Sequence, residues 1–153
     1  MDIPTALKAL SMGGAALKAL VAWSRRTRGD ARKLVLELSD NYGCLEMVIE
    51  DGIALDAVID RLSSAEYERL AGEGFNFNSL ERGRIRSYRS LRDTDLASWQ
   101  GKETAELVDS IYDKIRDLKL RYPLVKDHEK YRWGVRVNNI RKRIWLLLRH
   151  VNP

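Results

Sequence analysis

Apolar residues recur at alternating steps of three and four along most of this chain, the period of helices that bury one face. Leu107, Ile111, Ile115, Leu118 and Tyr122 give the clearest case, and Pro123 is placed to stop that helix. A second long helix is predicted from about Tyr131 to Val151, with Trp133, Val137, Ile140, Ile144, Leu147 and Val151 in one stripe. Near its end Ile144, Trp145, Leu146, Leu147 and Leu148 are consecutive. Successive residues turn by roughly 100° around a helix, so these side chains cannot share one groove. The expectation is that one side meets another chain, with Trp145 and Leu146 as candidate oligomer contacts.

The rest of the pattern is shorter-ranged. Ile3, Leu7, Leu10, Gly14, Leu17 and Val21 form a seam flanked by Ala6, Ala9, Gly13, Ala15, Ala16 and Ala19, which suits close helix docking. Asp30 can cap a helix carrying Leu34, Leu38, Tyr42, Leu45 and Ile49, with Gly52 at its stop. A hairpin over 34–49, turning at Ser-Asp-Asn-Tyr-Gly, is the alternative. A short helix is predicted over Ile53 to Leu62, then a capping-box pattern at Ser63 and Glu66 ahead of Tyr67 and Leu70. Phe75 and Phe77 are expected to plug the core from a loop. Ser79 to Arg92 is predicted helical, with Leu80, Tyr88 and Leu91 on one side, Arg82, Arg86 and Arg89 on the other, and Arg84 on the apolar side. A short turn follows at Leu96 to Trp99. The sum is an all-α chain, a single irregular helical bundle of about five to seven helices in one domain over 1–153, with the helices at Leu107 and Ile140 packed through their apolar faces.

Charge changes the picture through its distribution. The net charge is +5, but basic and acidic blocks alternate: five basic residues against one acidic over 1–29, four against eleven over 30–80, five against one over 81–92, four against seven over 93–120 and nine against two over 121–153. Such blocks can neutralise one another across packed helices. Arginine outnumbers lysine 18 to 9, a bias toward bidentate pairing with carboxylate or phosphate. Arg82, Arg86 and Arg89 make one group, and Arg132, Arg136 and Arg143, near Trp133 and Trp145, make another. Exposed, these six would bind a partner or a nucleic-acid backbone; buried, they would complement acidic helices. A faint helix-turn-helix spacing at Leu70, Gly74 and Leu80 would make the Arg82 helix a DNA reader, against which Gly83 and the Phe-Asn-Phe-Asn turn both count.

Candidate chemistry is sparse. His128 and His150 are the only histidines and Cys44 the only cysteine, so no zinc set is apparent and Cys44 is expected to be a small core residue. Glu106, Asp109, Asp113 and Asp117 form an acidic stripe, and Asp56 and Asp60 a close pair. Carboxylates so arranged can bind a divalent ion when other elements add ligands, but helix surfaces commonly carry such stripes. No phosphate-cradling glycine loop is present, and no cofactor is implied. The stretch from Ala9 to Trp23 is interrupted by Ser11 and Lys18 and is shorter than a membrane span. Arg25, Arg26 and Arg28 follow it rather than precede it, which is the wrong order for a secretory leader. Integral membrane association is not expected, and a cytoplasmic location is. These features predict a noncatalytic protein-interaction or regulatory domain, with self-association or a protein partner favoured. Nucleic-acid binding is the alternative, and a carboxylate- or metal-dependent enzyme comes after it.

Overall fold

The computed structural model describes residues 14–152, and every regular element among them is helical. Five helices of eight residues or more occur there: α1 (Ala15–Arg26), α2 (Gly29–Glu50), α3 (Ala65–Gly72), α4 (Thr104–Val125) and α5 (Trp133–Val151). A single α-turn at Leu55–Val58 runs into a 3-10 turn at Ile59–Arg61. Further 3-10 turns lie at Phe77–Leu80, Arg89–Leu91, Asp95–Trp99 and Glu129–Tyr131. No helix among the described residues is long and apolar enough to cross a membrane.

The bundle is built around α5, which packs against α2, α4 and α1, while α1 also lies along α2. Val137, Ile140, Ile144 and Leu147 supply the predicted stripe, and the apolar faces of α4 and α5 meet as expected. The consecutive apolar run is covered by the chain itself. Trp145 is 3% exposed and Leu146 1%, so neither offers surface to a second copy. The expected oligomer contact at these two residues is thereby corrected. The extra side of the helix is covered from within, where the turn at Asp95–Trp99 is held to α5 by Lys142.

The segment 34–49 is helix rather than hairpin. Leu34, Leu38, Tyr42 and Leu45 are buried at helical spacing, and the chain passes through Ser39 to Gly43 without turning. Gly52, at φ 67°, takes the left-handed conformation just past the helix end, as expected of a stop residue. Asp30 lies in the first turn without capping it; Arg28 holds the cap position. In α1 the buried apolar positions are Ala16, Leu20 and Trp23, while Val21 is 41% exposed. The stripe is rotated from the predicted seam because burying the large indole of Trp23 determines which side faces inward. Ile3, Leu7 and Leu10 of that seam lie outside the described residues.

The start of α3 is fixed by α2 rather than by its own sequence. Ser63 and Glu66 do not form the expected capping box; both oxygens of Glu37 instead accept from the start of the helix, from Glu66 N–H at 2.9 Å and Tyr67 N–H at 3.2 Å. Ser63 also donates its hydroxyl to Glu37 at 3.0 Å. One helical turn further along α2, Asn41 donates to the Ser63 carbonyl at 2.7 Å and accepts from its N–H at 2.8 Å. Charge placed at a helix N-terminus satisfies donors that otherwise lack partners. Tyr67 then stacks on Tyr112 at 4.4 Å, and Phe77 closes on Tyr67 at 5.3 Å, so the Phe75–Phe77 loop plugs the core as predicted.

Two further expectations are corrected. Pro123 does not stop α4, which continues to Val125; the proline is absorbed in its last turn, where only one backbone bond is lost. Ser79 to Arg92 is not a helix. A helical stripe through Leu80 and Tyr88 would require burial of Arg84 between them, and Ile85 is the residue that reaches the core, 2% exposed. Its backbone pairs instead with a distant loop: Ile85 N–H donates to Lys102 O at 2.9 Å and Gly101 N–H to Ile85 O at 2.8 Å. Gly101, at φ 83°, supplies the left-handed bend that brings the loop round.

Candidate functional site

Residues 81–92 form an irregular segment stitched to the bundle at several points. Thr104 donates its hydroxyl to Glu81 O at 2.7 Å and meets His150 Nε2 at 2.8 Å. A hydroxyl has one proton, so with that proton given to Glu81 it accepts from the imidazole N–H. Tyr88 donates to the Arg149 carbonyl at 3.3 Å, with the Arg149 guanidinium 5.5 Å from its ring. Arg84 donates to Gly101 O at 2.8 Å and lies 3.4 Å from Glu103. Leu91 and Ile85 anchor the segment in the core.

This stitching leaves Arg82, Arg86, Arg89 and Arg92 exposed, and among the described residues none of them makes an ion pair. Between Arg86 and Arg92 lies a cleft of about 290 Å³ floored by Leu91 and Leu96, with no carboxylate in its lining. The helical arginine stripe expected here does not exist, and with it goes any DNA-reading helix. The exposure of Arg82, Arg86 and Arg89 nonetheless survives on a different backbone.

The second arginine group is divided. Arg141, Lys142 and Arg143 read in sequence as a basic cluster, but α5 sends them inward. Arg141 is 3% exposed, 2.7 Å from Glu50 and 3.6 Å from Glu46. Lys142 donates to Asp95 at 2.8 Å, and Arg143 sits 3.9 Å from the same carboxylate. Burial works to raise the Asp95 pKa, but the bond from Lys142 and the charges of Lys142 and Arg143 outweigh it and hold the carboxyl below its ordinary value. Arg143 is thus largely committed inside the fold and does not belong to a polyanion stripe. Arg136 is half-exposed and lies 3.5 Å from Asp117, whereas Arg132 is exposed and forms no ion pair among the described residues.

Two carboxylates of the acidic stripe on α4 are likewise engaged. Asp109 accepts from the Tyr67 hydroxyl at 2.7 Å, and Asp117 is shared by Arg121 at 2.6 Å and Arg136. Asp56 turns to Lys126 at 3.6 Å. Among the described residues no three histidine, cysteine or carboxylate side chains gather as metal ligands would. Cys44 is buried, and burial pushes its thiol above the ordinary value.

A pocket of about 320 Å³ opens between α4 and the start of α5. Its charged lining is Lys114, Lys130, Arg132 and Arg136, against the single carboxylate of Asp117. Leu118, Val135 and Ile140 give it an apolar wall, and Tyr131 a ring that stacks on Trp133 at 5.2 Å. Arg136 lies over both rings, at 5.3 and 5.8 Å. Asn139 also lines the pocket, and its buried Oδ1 has no hydrogen-bond partner. Partial burial, then the like charges of Arg143 and Arg136, hold the Lys114 amine below its ordinary pKa. Arg132, at the lip, has φ 46°, the only described non-glycine residue in the left-handed region.

Sequence reasoning found Arg132 and Arg136 but missed Lys114 and Lys130. The available signal was spacing: Lys114, Asp117 and Leu118 share one side of α4, while Arg132, Arg136, Asn139 and Ile140 share one side of α5. Comparison with protein-family models, with curated proteins and with solved structures finds no match for this chain.

Proposed function

We propose that this chain is a noncatalytic interaction protein that engages an acidic surface of a partner protein through residues 81–92. The observation that carries this reading is the contrast between arginines. Arg69, Arg141 and Arg143 are spent on internal carboxylates, whereas Arg82, Arg86, Arg89 and Arg92 are exposed on a segment whose backbone is already fixed. A fixed backbone lowers the ordering cost of binding, and an arginine-flanked cleft suits the bidentate capture of a carboxylate. Self-association through Trp145 and Leu146 is not part of the proposal, since both are buried.

The test compares polyglutamate with duplex DNA for binding to the wild-type chain and to a triple variant, Arg82→Glu, Arg86→Glu and Arg89→Glu. The expected result is salt-sensitive binding of the acidic peptide that falls by at least about tenfold in the variant. Tighter binding of DNA than of the peptide, with the same loss in the variant, would transfer the surface to the nucleic-acid reading. Equal binding by both proteins would remove the segment from either role.

A further inference from the structure

We infer that the pocket between α4 and α5 is a binding site for a small phosphate monoester carrying an apolar or planar group. It stands apart from the 81–92 segment and does not depend on the function proposed for it. Four cations face one carboxylate in the lining, so the empty pocket carries an excess of three positive charges. Asp117 is already divided between Arg121 and Arg136 and cannot balance them. A dianion placed among Lys114, Arg132 and Arg136 would offset two of the three. Arg132 offers a planar fork suited to phosphate oxygens, Arg136 adds its charge and its Nη2 while its Nε donates to Tyr131 O at 2.7 Å and its Nη1 faces Asp117, and Lys114 is a further donor from the opposite helix.

Two further observations bear on the same space. Arg132 is held at φ 46°, which costs energy for any residue but glycine, while its side chain makes no ion pair or hydrogen bond among the described residues. Strain retained at a lip position without an internal contact is consistent with a side chain aimed at a ligand. The Leu118, Val135 and Ile140 wall and the Tyr131 ring would take the carrier group. The volume of about 320 Å³ lies at the low end for ligand pockets, which selects a small molecule rather than a polymer threaded through.

Phenyl phosphate is the probe, titrated calorimetrically into the full chain beside inorganic phosphate, benzoate and a phosphotyrosine peptide. Phenyl phosphate should saturate a single site and bind about tenfold tighter than benzoate, which carries one charge fewer. Inorganic phosphate should compete for the site more weakly. Arg132→Gly is the informative variant because glycine relaxes the left-handed backbone, so the protein should fold at least as well while binding falls about tenfold. Lys114→Met should show a similar loss, and Asp117→Asn should bind severalfold tighter because it removes the competing anion. Absence of saturable binding, or equal affinity across these variants, would overturn the site. Benzoate equal to phenyl phosphate would overturn the phosphate assignment, and a peptide binding more than about tenfold tighter than phenyl phosphate would overturn the small-molecule one.

Discussion

Glu37 shows how a charged residue in the middle of a helix can be structural. It is 8% exposed, and its two oxygens collect the first free N–H groups of α3 and the Ser63 hydroxyl. Removing it leaves those donors buried without acceptors, a cost of about 2–4 kcal/mol for Glu37→Ala. Glu37→Gln retains one acceptor oxygen and should lose roughly half as much, a difference that urea unfolding midpoints would resolve. The role was not legible in the sequence: Ser63 and Glu66 match a capping box, and a carboxylate on another helix displaced it. Trp145 carries the opposite lesson. Its position in an apolar run correctly implied that an extra side of α5 must be covered, but periodicity cannot say whether the cover comes from the same chain. With the ring buried, Trp145→Ala should destabilise the monomer by about 3–5 kcal/mol in a denaturation experiment. A variant of wild-type stability would show that the indole is not part of the core.

At the scale of elements, the long helices were legible because their apolar stripes are continuous, and the 81–92 segment was not because its anchors are irregular. Ile85 finds its backbone partners at Gly101 and Lys102, a pairing across the chain that no local pattern encodes. His150 is one of the stitches and makes this segment sensitive to pH. Burial, assisted by Arg86, holds the imidazole below its ordinary pKa against the opposing pull of Glu81 and the Gly83 carbonyl. The unfolded chain therefore takes up this proton more readily than the folded one. Stability contributed by the neutral ring is complete above the ordinary histidine value of about 6.5 and is lost progressively as the pH falls below it. Thermal unfolding from about pH 7.5 to about pH 5.5 should show a decline in wild type that is reduced in His150→Asn. Exposed His128 is unchanged in both proteins and serves as the internal control. An identical decline in the two would remove His150 as its source.

Over the whole molecule, the alternation of acidic and basic blocks foretold internal pairing, and the structure divides the arginines accordingly. Arg69 gathers Asp30, Glu66 and Glu73 between α2 and α3, and Arg141 ties α5 to Glu50 on α2. Which arginines would be spent in this way could not be read from spacing, because Arg141, Lys142 and Arg143 look in sequence like the exposed basic patch that residues 81–92 turn out to carry. The most direct measurement is therefore a paired one, unfolding free energy and acidic-peptide affinity on the same two variants. Replacing Arg82, Arg86 and Arg89 together by alanine should change the unfolding free energy by less than about 0.5 kcal/mol while removing most of the peptide binding. Arg141→Ala removes a guanidinium that is 3% exposed and leaves the largely buried Glu46 without its cation, so it should cost about 2–3 kcal/mol, yet leave the affinity of the remaining folded protein unchanged. Loss of stability in the first variant, or undiminished binding by it, would contradict the division between arginines that hold the fold and arginines that face a partner.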